Sequence, residues 1–209
     1  MYAVKRDEML DITLQNDFNY YDEIKVSPKY PTDQSLKKAN DVVHMGEVKV
    51  GDKVFPCAIG ERGVTDHKQE GDLKTPLGRY HLRRLYYRYD KLQQPIYSQM
   101  PLMALLEDDG WCDEEGDPSY NQPVMLPYHA SAERLWREDD LYDIIIVLGY
   151  NDDPVEQGKG SAIFMHVARE DDVSQSFKAT KGCVALKKEH LLELLPYLSE
   201  QTIMEITTH

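Results

Sequence analysis

The chain has 209 residues, a formal net charge of −13, 41% apolar residues and 29% charged ones, the make-up of a soluble globular protein large enough to bury one sizeable core. The negative charge argues against nucleic acid as a partner, because phosphates would repel it, and against electrostatic capture by an anionic membrane surface. No stretch approaches the ~20 apolar residues of a membrane span, and three cysteines cannot form a closed disulfide set, so at least one thiol is expected free unless it pairs between chains.

Residues 1–41 are polar and rich in Tyr, Asp and Lys, and Pro28 and Pro31 interrupt any regular element. They are expected to form an N-terminal extension, with Ile12, Leu14 and Phe18 available to pack on the main body. The first residues lack the apolar run of a secretory signal. From Val42 alternation begins: Glu47–Val50 and Lys53–Ala58 flank Gly51-Asp52, a hairpin signal that puts Cys57 in an apolar strand as a buried thiol. Gly60 to Gly78 reads as loop, and the proline after Thr75 biases that residue to extended backbone. A strand over Arg79–Arg88 follows. Glu107 to Asp117 carries seven acidic residues in eleven positions around Gly110-Trp111-Cys112; it reads as an acidic surface loop, since the spacing does not match an EF-hand. Cys112 reads as a packed thiol.

Ser131–Arg137 reads as a short helix with Ser131 as N-cap. Asp143–Gly149 holds the most apolar run, expected as a strand buried on both faces. Gly158 and Gly160 bracket a turn into an apolar strand, Ser161–Ala168, that carries His166. After Cys183, Leu191, Leu194, Leu195 and Leu198 recur at helical spacing, with Glu189 near the helix start where it complements the dipole. Thr202–Thr207 closes the chain as a strand. The fold class is therefore mainly β, with one or two short helices.

The chemistry concentrates between Gly160 and Leu186. Acyl transfer by a thiol needs a thiolate and a base within hydrogen-bond reach. A strand carrying His166 and a loop returning with Cys183, seventeen positions later, can supply both. Gly182 has no Cβ and permits a sharp turn beside the nucleophile. The amides of Gly182 and Cys183 are candidates for an oxyanion hole. A free thiol titrates near ~8.5, so Cys183 needs help from His166 or from local positive charge such as Lys181.

His, a loop, then Thr180-Lys181-Gly182-Cys183-Val184 resembles the active-site signature of the L,D-transpeptidases of the YkuD type, a proteobacterial branch in particular. Lys68-Gln69-Glu70-Gly71-Asp72 through Thr75-Pro76-Leu77-Gly78-Arg79-Tyr80 is similar to a second segment of that family. Asp109–Asp113, Tyr120-Asn121, Ser131–Trp136 and Leu141-Tyr142-Asp143 extend the likeness over most of the chain. The resemblance implies a β-sandwich or barrel-like catalytic domain over 42–209, with Cys183 as nucleophile, His166 as general base and Gly182 in the oxyanion hole. It implies peptidoglycan stem peptides as partners, with no metal and no cofactor. A backbone carbonyl often orients the family's histidine. Lys181, Thr180, Lys68, Glu70, Thr75, Trp111, Tyr120, Asn121 and Tyr142 are the candidates for substrate binding. Such a substrate lies in the cell envelope, which leaves a cytoplasmic site or export without a standard leader as the other readings. Many members have His or Arg where this chain has Lys181, and Arg or Asn where it has Ala185.

Other readings compete. If water resolves the acyl-enzyme, the same site is an L,D-carboxypeptidase, and a wall-directed effector would share the chemistry. Papain-like peptidases place Cys before His, and sortases have threonine where this chain has Gly182. A metal-binding or other non-catalytic module would use Cys112, His166 and Cys183, but the tight Cys pairs of structural zinc sites are missing from the sequence.

Overall fold

The computed structural model describes residues 21–29, 44–92, 95–171 and 176–208. Its first strand, β1 (Glu23–Pro28), is followed by the hairpin β2 (Met45–Val50) and β3 (Lys53–Ala58). Two-residue strands β4 (Val64–Thr65) and β5 (Thr75–Pro76) punctuate the next loop, and the long β6 (Gly78–Tyr87) leaves it. Then come β7 (Leu102–Ala104), β8 (Asp109–Cys112), β9 (Pro123–Met125), β10 (Ala132–Arg134) and β11 (Ile144–Leu148). The last third holds β12 (Phe164–Val167), β13 (Glu170–Asp171), β14 (Ser176–Phe177), β15 (Val184–Leu186), helix α1 (Lys188–Leu194), a 3₁₀ turn (Leu195–Tyr197) and β16 (Ile203–Ile206).

Nine strands form one sheet in the order β11-β12-β15-β3-β2-β1-β16-β6-β7, and β11 also pairs with β6. That extra pairing closes the sheet on itself, so the fold is mainly β and barrel-like. Closure leaves β7, which pairs only with β6, as the remaining edge of this sheet. The barrel interior is apolar, built from alternate residues such as Ile24, Val26, Val48, Val50, Leu82 and Leu85. Leu191, Leu194, Leu195 and Leu198 seal it from α1 and the turn after it. β11 is buried along its whole length, because the barrel lies on one face and a second cluster on the other.

Two expectations change. Ser131–Arg137 is not a helix: Ala132–Arg134 pairs antiparallel with β8, Glu133 lying opposite Trp111. So short a helix would be marginal alone, whereas here the Leu135 N–H reaches the Asp109 carbonyl at 3.0 Å and Leu135 is buried. The acidic run is likewise no plain surface loop, since Gly110-Trp111-Cys112 form the buried part of β8. Within residues 1–41, Glu23–Pro28 lies inside the main sheet between β2 and β16, with Ile24 and Val26 fully buried. Ile12, Leu14 and Phe18 lie outside the described residues.

Candidate active site

β12 and β15 run side by side in parallel, His166 opposite Ala185 and Met165 opposite Val184. One step back, Cys183 comes abreast of Phe164, whose N–H points at Sγ from 3.4 Å. Residues two apart on a strand share a face, so His166 and Cys183 stand on the same side of this strand pair. Both line one cavity of about 660 Å³.

The turn that delivers Cys183 is held by Thr180. Its hydroxyl donates to the Cys183 carbonyl at 2.7 Å and accepts the Gly182 N–H at 3.1 Å. Gly182 has φ of +148°, and a Cβ there would stand 2.9 Å from the Lys74 carbonyl oxygen, so neither the backbone nor the space admits a side chain. The Gly182 N–H is engaged by Thr180, whereas the Cys183 N–H has no hydrogen-bond partner among the described residues.

The Cys183 thiol donates to the Ala162 carbonyl at 3.2 Å. Ala162 adopts φ of +52°, an uncommon conformation for a residue with a Cβ. Asn121 holds it there by accepting the Ala162 N–H at 3.0 Å, and the same oxygen accepts the Trp111 indole N–H. The Asn121 amide donates to the Tyr150 and Asn151 carbonyls. All four hydrogen-bonding positions of that buried side chain are therefore used.

His166 Nδ1 lies 2.8 Å from the Val167 carbonyl. A carbonyl only accepts, so Nδ1 carries the proton and Nε2 is left as the basic nitrogen. The Tyr142 ring stands edge-on to the imidazole at 5.3 Å, and its hydroxyl donates to Glu133 at 2.6 Å. Burial pulls the His166 pKa down to about 4. Burial likewise pushes Cys183 up to about 12. The resting pair is thus a neutral imidazole and an undissociated thiol, which agrees with Sγ–H donating to a carbonyl.

The cavity mixes charges in an acidic protein. Lys68, Arg137, Arg169, Lys178 and Lys181 line it, opposed by Glu70, Asp113 and Glu133. Lys68 is 7% exposed and donates to Asp72 and to the Gln69 carbonyl. Glu70 accepts from the Tyr120 and Ser161 hydroxyls.

Of the residues singled out from sequence, Lys68, Glu70, Tyr142, His166, Thr180, Lys181, Gly182 and Cys183 meet in this cavity. Thr75, Trp111, Tyr120 and Asn121 stand behind its wall. Thr75 is fully buried and donates to the Cys183 carbonyl at 3.4 Å; Trp111 packs edge-on against Phe164 at 5.1 Å. Cys112 is packed in the interior and does not line the cavity. No group of three or more His, Cys, Asp or Glu side chains suited to a metal ion occurs among the described residues. Sequence reading passed over Asp113, Glu133, Arg137, Ala162, Arg169 and Lys178. Glu133 reaches the cavity through the strand register of its segment, opposite Trp111, which the helical expectation did not contain.

A family model described as the L,D-transpeptidase catalytic domain (YkuD) matches residues 37–206. No curated protein and no solved structure matches the chain.

Proposed function

The chain belongs to the L,D-transpeptidase catalytic domain family, and from that premise we propose that it is a cysteine L,D-transpeptidase forming cross-links between peptidoglycan stem peptides through a thioester. The observation that carries this reading is the pair on β12 and the Thr180–Cys183 turn: a thiol and a histidine with its Nε2 free, facing one cavity. In the proposed reaction His166 Nε2 takes the Cys183 proton as Sγ attacks a peptide carbonyl of the donor stem. The Cys183 N–H receives the oxyanion, where one such donor is worth ~2.7–4 kcal/mol. His166 then protonates the leaving amine, and an amine of a second stem resolves the thioester.

The neutral resting pair gives this sequence a physical order. A thiol held near 12 is almost wholly protonated at neutral pH, so thiolate forms in step with attack rather than beforehand. Thr180 and Lys181 stand at the mouth of the turn, and Lys181 is exposed there, placed to meet a substrate carboxylate. Such a substrate would put the protein's work in the cell envelope. Incubation with a disaccharide-tetrapeptide, and separately with a carbapenem, tests the reading by intact mass. A Cys183-dependent adduct and a dimeric product support it. A shortened peptide without dimer converts it to an L,D-carboxypeptidase. No adduct and no turnover with either reagent refute it.

A further inference from the structure

A transpeptidase cavity must take two substrates, and the second one arrives at neutral pH as an ammonium. Five basic side chains line the cavity; Lys68, Arg137 and Arg169 are paired with Asp72 and Asp139, while Lys178 and Lys181 have no ion-pair partner among the described residues and would repel it. Of the three acidic ones, Glu70 is already committed to Tyr120, Ser161 and the Gly71 N–H. Glu133 differs. One of its oxygens accepts the Tyr142 hydroxyl, and the other has no partner among the described residues. Beside it, Asp113 Oδ1 is buried with no hydrogen-bond donor, a condition that costs free energy until a donor arrives. The strand pairing of β10 with β8 brings both residues to this wall, and Tyr142 ties Glu133 to the ring that stands against His166.

Resting on the transpeptidase reading, we propose that Glu133, with Asp113 beside it, receives the ammonium of the acceptor stem and takes its first proton. The acceptor R–NH₃⁺ gives one proton to the Glu133 carboxylate and becomes R–NH₂. Its nitrogen then attacks the thioester carbonyl, forming the C–N bond as the C–S bond breaks. The second proton passes through His166 Nε2 to the Cys183 sulfur, and Glu133 returns the first to water. Burial, which raises the Glu133 pKa, makes that carboxylate a better proton acceptor than a solvated one. Water can donate a hydrogen bond to this wall but lacks the ammonium's charge, so the two carboxylates favour the amine over it. The pair therefore selects aminolysis over hydrolysis, a choice of acceptor rather than a contribution to acylation.

Glu133→Gln and Asp113→Asn keep shape and remove charge, and both are compared with wild type in two assays. Carbapenem acylation of Cys183, followed by intact mass, should stay within about twofold of wild type in both variants. With disaccharide-tetrapeptide, the ratio of dimer to hydrolysed tripeptide should fall at least tenfold in Glu133→Gln and by a smaller factor in Asp113→Asn. Hydroxylamine, which is uncharged at neutral pH, should resolve the thioester equally in all three proteins. An unchanged dimer-to-tripeptide ratio in both variants overturns the inference and leaves the transpeptidase reading standing. An equal loss of acylation and of dimer overturns it too, by assigning Glu133 to the first half-reaction or to the fold. A wild type that is never acylated defeats the underlying reading instead.

Discussion

Cys57 and Cys183 sit on adjoining parts of the same sheet, for Cys57 pairs with Leu186 and Cys183 immediately precedes β15. Both are buried free thiols, and burial raises the pKa of both. Their surroundings differ. Cys57 lies among the aliphatic side chains of the barrel interior. Cys183 has a carbonyl to donate to, an N–H to accept from, and a histidine on the same cavity wall. Burial alone makes a thiol inert in either place. What separates a reactive thiol from a packing one is a polar wall that can accept its proton when substrate arrives.

The comparison breaks most sharply by deletion. Cys183→Ala should abolish the carbapenem adduct in intact mass, while Cys57→Ala should keep it at wild-type level. Next in size is Gly182→Ala. Its Cβ would press on the Lys74 carbonyl in a backbone region that glycine favours, and the displaced turn should slow acylation by about 100-fold, equivalent to ~2.7 kcal/mol. Asn121→Ala leaves the Ala162 N–H and the Trp111 indole without their acceptor. Urea melts should show a loss of ~1–3 kcal/mol, and acylation should fall about tenfold as Ala162 relaxes away from Sγ.

The pH dependence sharpens the contrast further. His166 is depressed to about 4 in the fold from 6.5, so the unfolded chain binds its proton first as pH falls. Stability should decline from about pH 6.5 down to about 4, by up to ~3 kcal/mol, and His166→Gln should flatten that limb in urea titrations. A thiol raised from 9.0 to about 12 acts at the other end: the unfolded chain loses its proton first, and stability falls as pH rises above 9. Both thiols feed the alkaline limb, so Cys57→Ala should reduce its slope without touching the acid limb. The smallest effect is the stability cost of Cys57→Ala at neutral pH, ~1–2 kcal/mol for a lost buried side chain.

Much of the barrel could be read from residues that repeat locally. The β2–β3 hairpin shows as alternation around Gly51-Asp52, β11 as an apolar run, and α1 as leucines at helical spacing. β1 offers only two buried side chains, Ile24 and Val26, in a polar stretch that ends at Pro28, too short a pattern to stand out. β10 does not show in the sequence because three residues carry no period, and their backbone partners lie twenty or more positions away on β8. The same division holds in the site. Cys183, His166 and Gly182, proposed by type and spacing, do meet in one cavity. Asn121 could be named by resemblance, but its contact with Ala162 across 41 positions and the pairing of Glu133 with Trp111 are encoded by no local pattern.

The central claim, that Cys183 carries the acyl group, is tested most directly by trapping. The enzyme is mixed with disaccharide-tetrapeptide, quenched in acid to preserve a thioester, digested with trypsin and mapped by mass spectrometry. The account predicts the donor acyl group on the peptide that runs from Gly182 to Lys187 and on no other. Acylation of a peptide carrying Cys57 or Cys112, with the Gly182–Lys187 peptide unmodified, would contradict it.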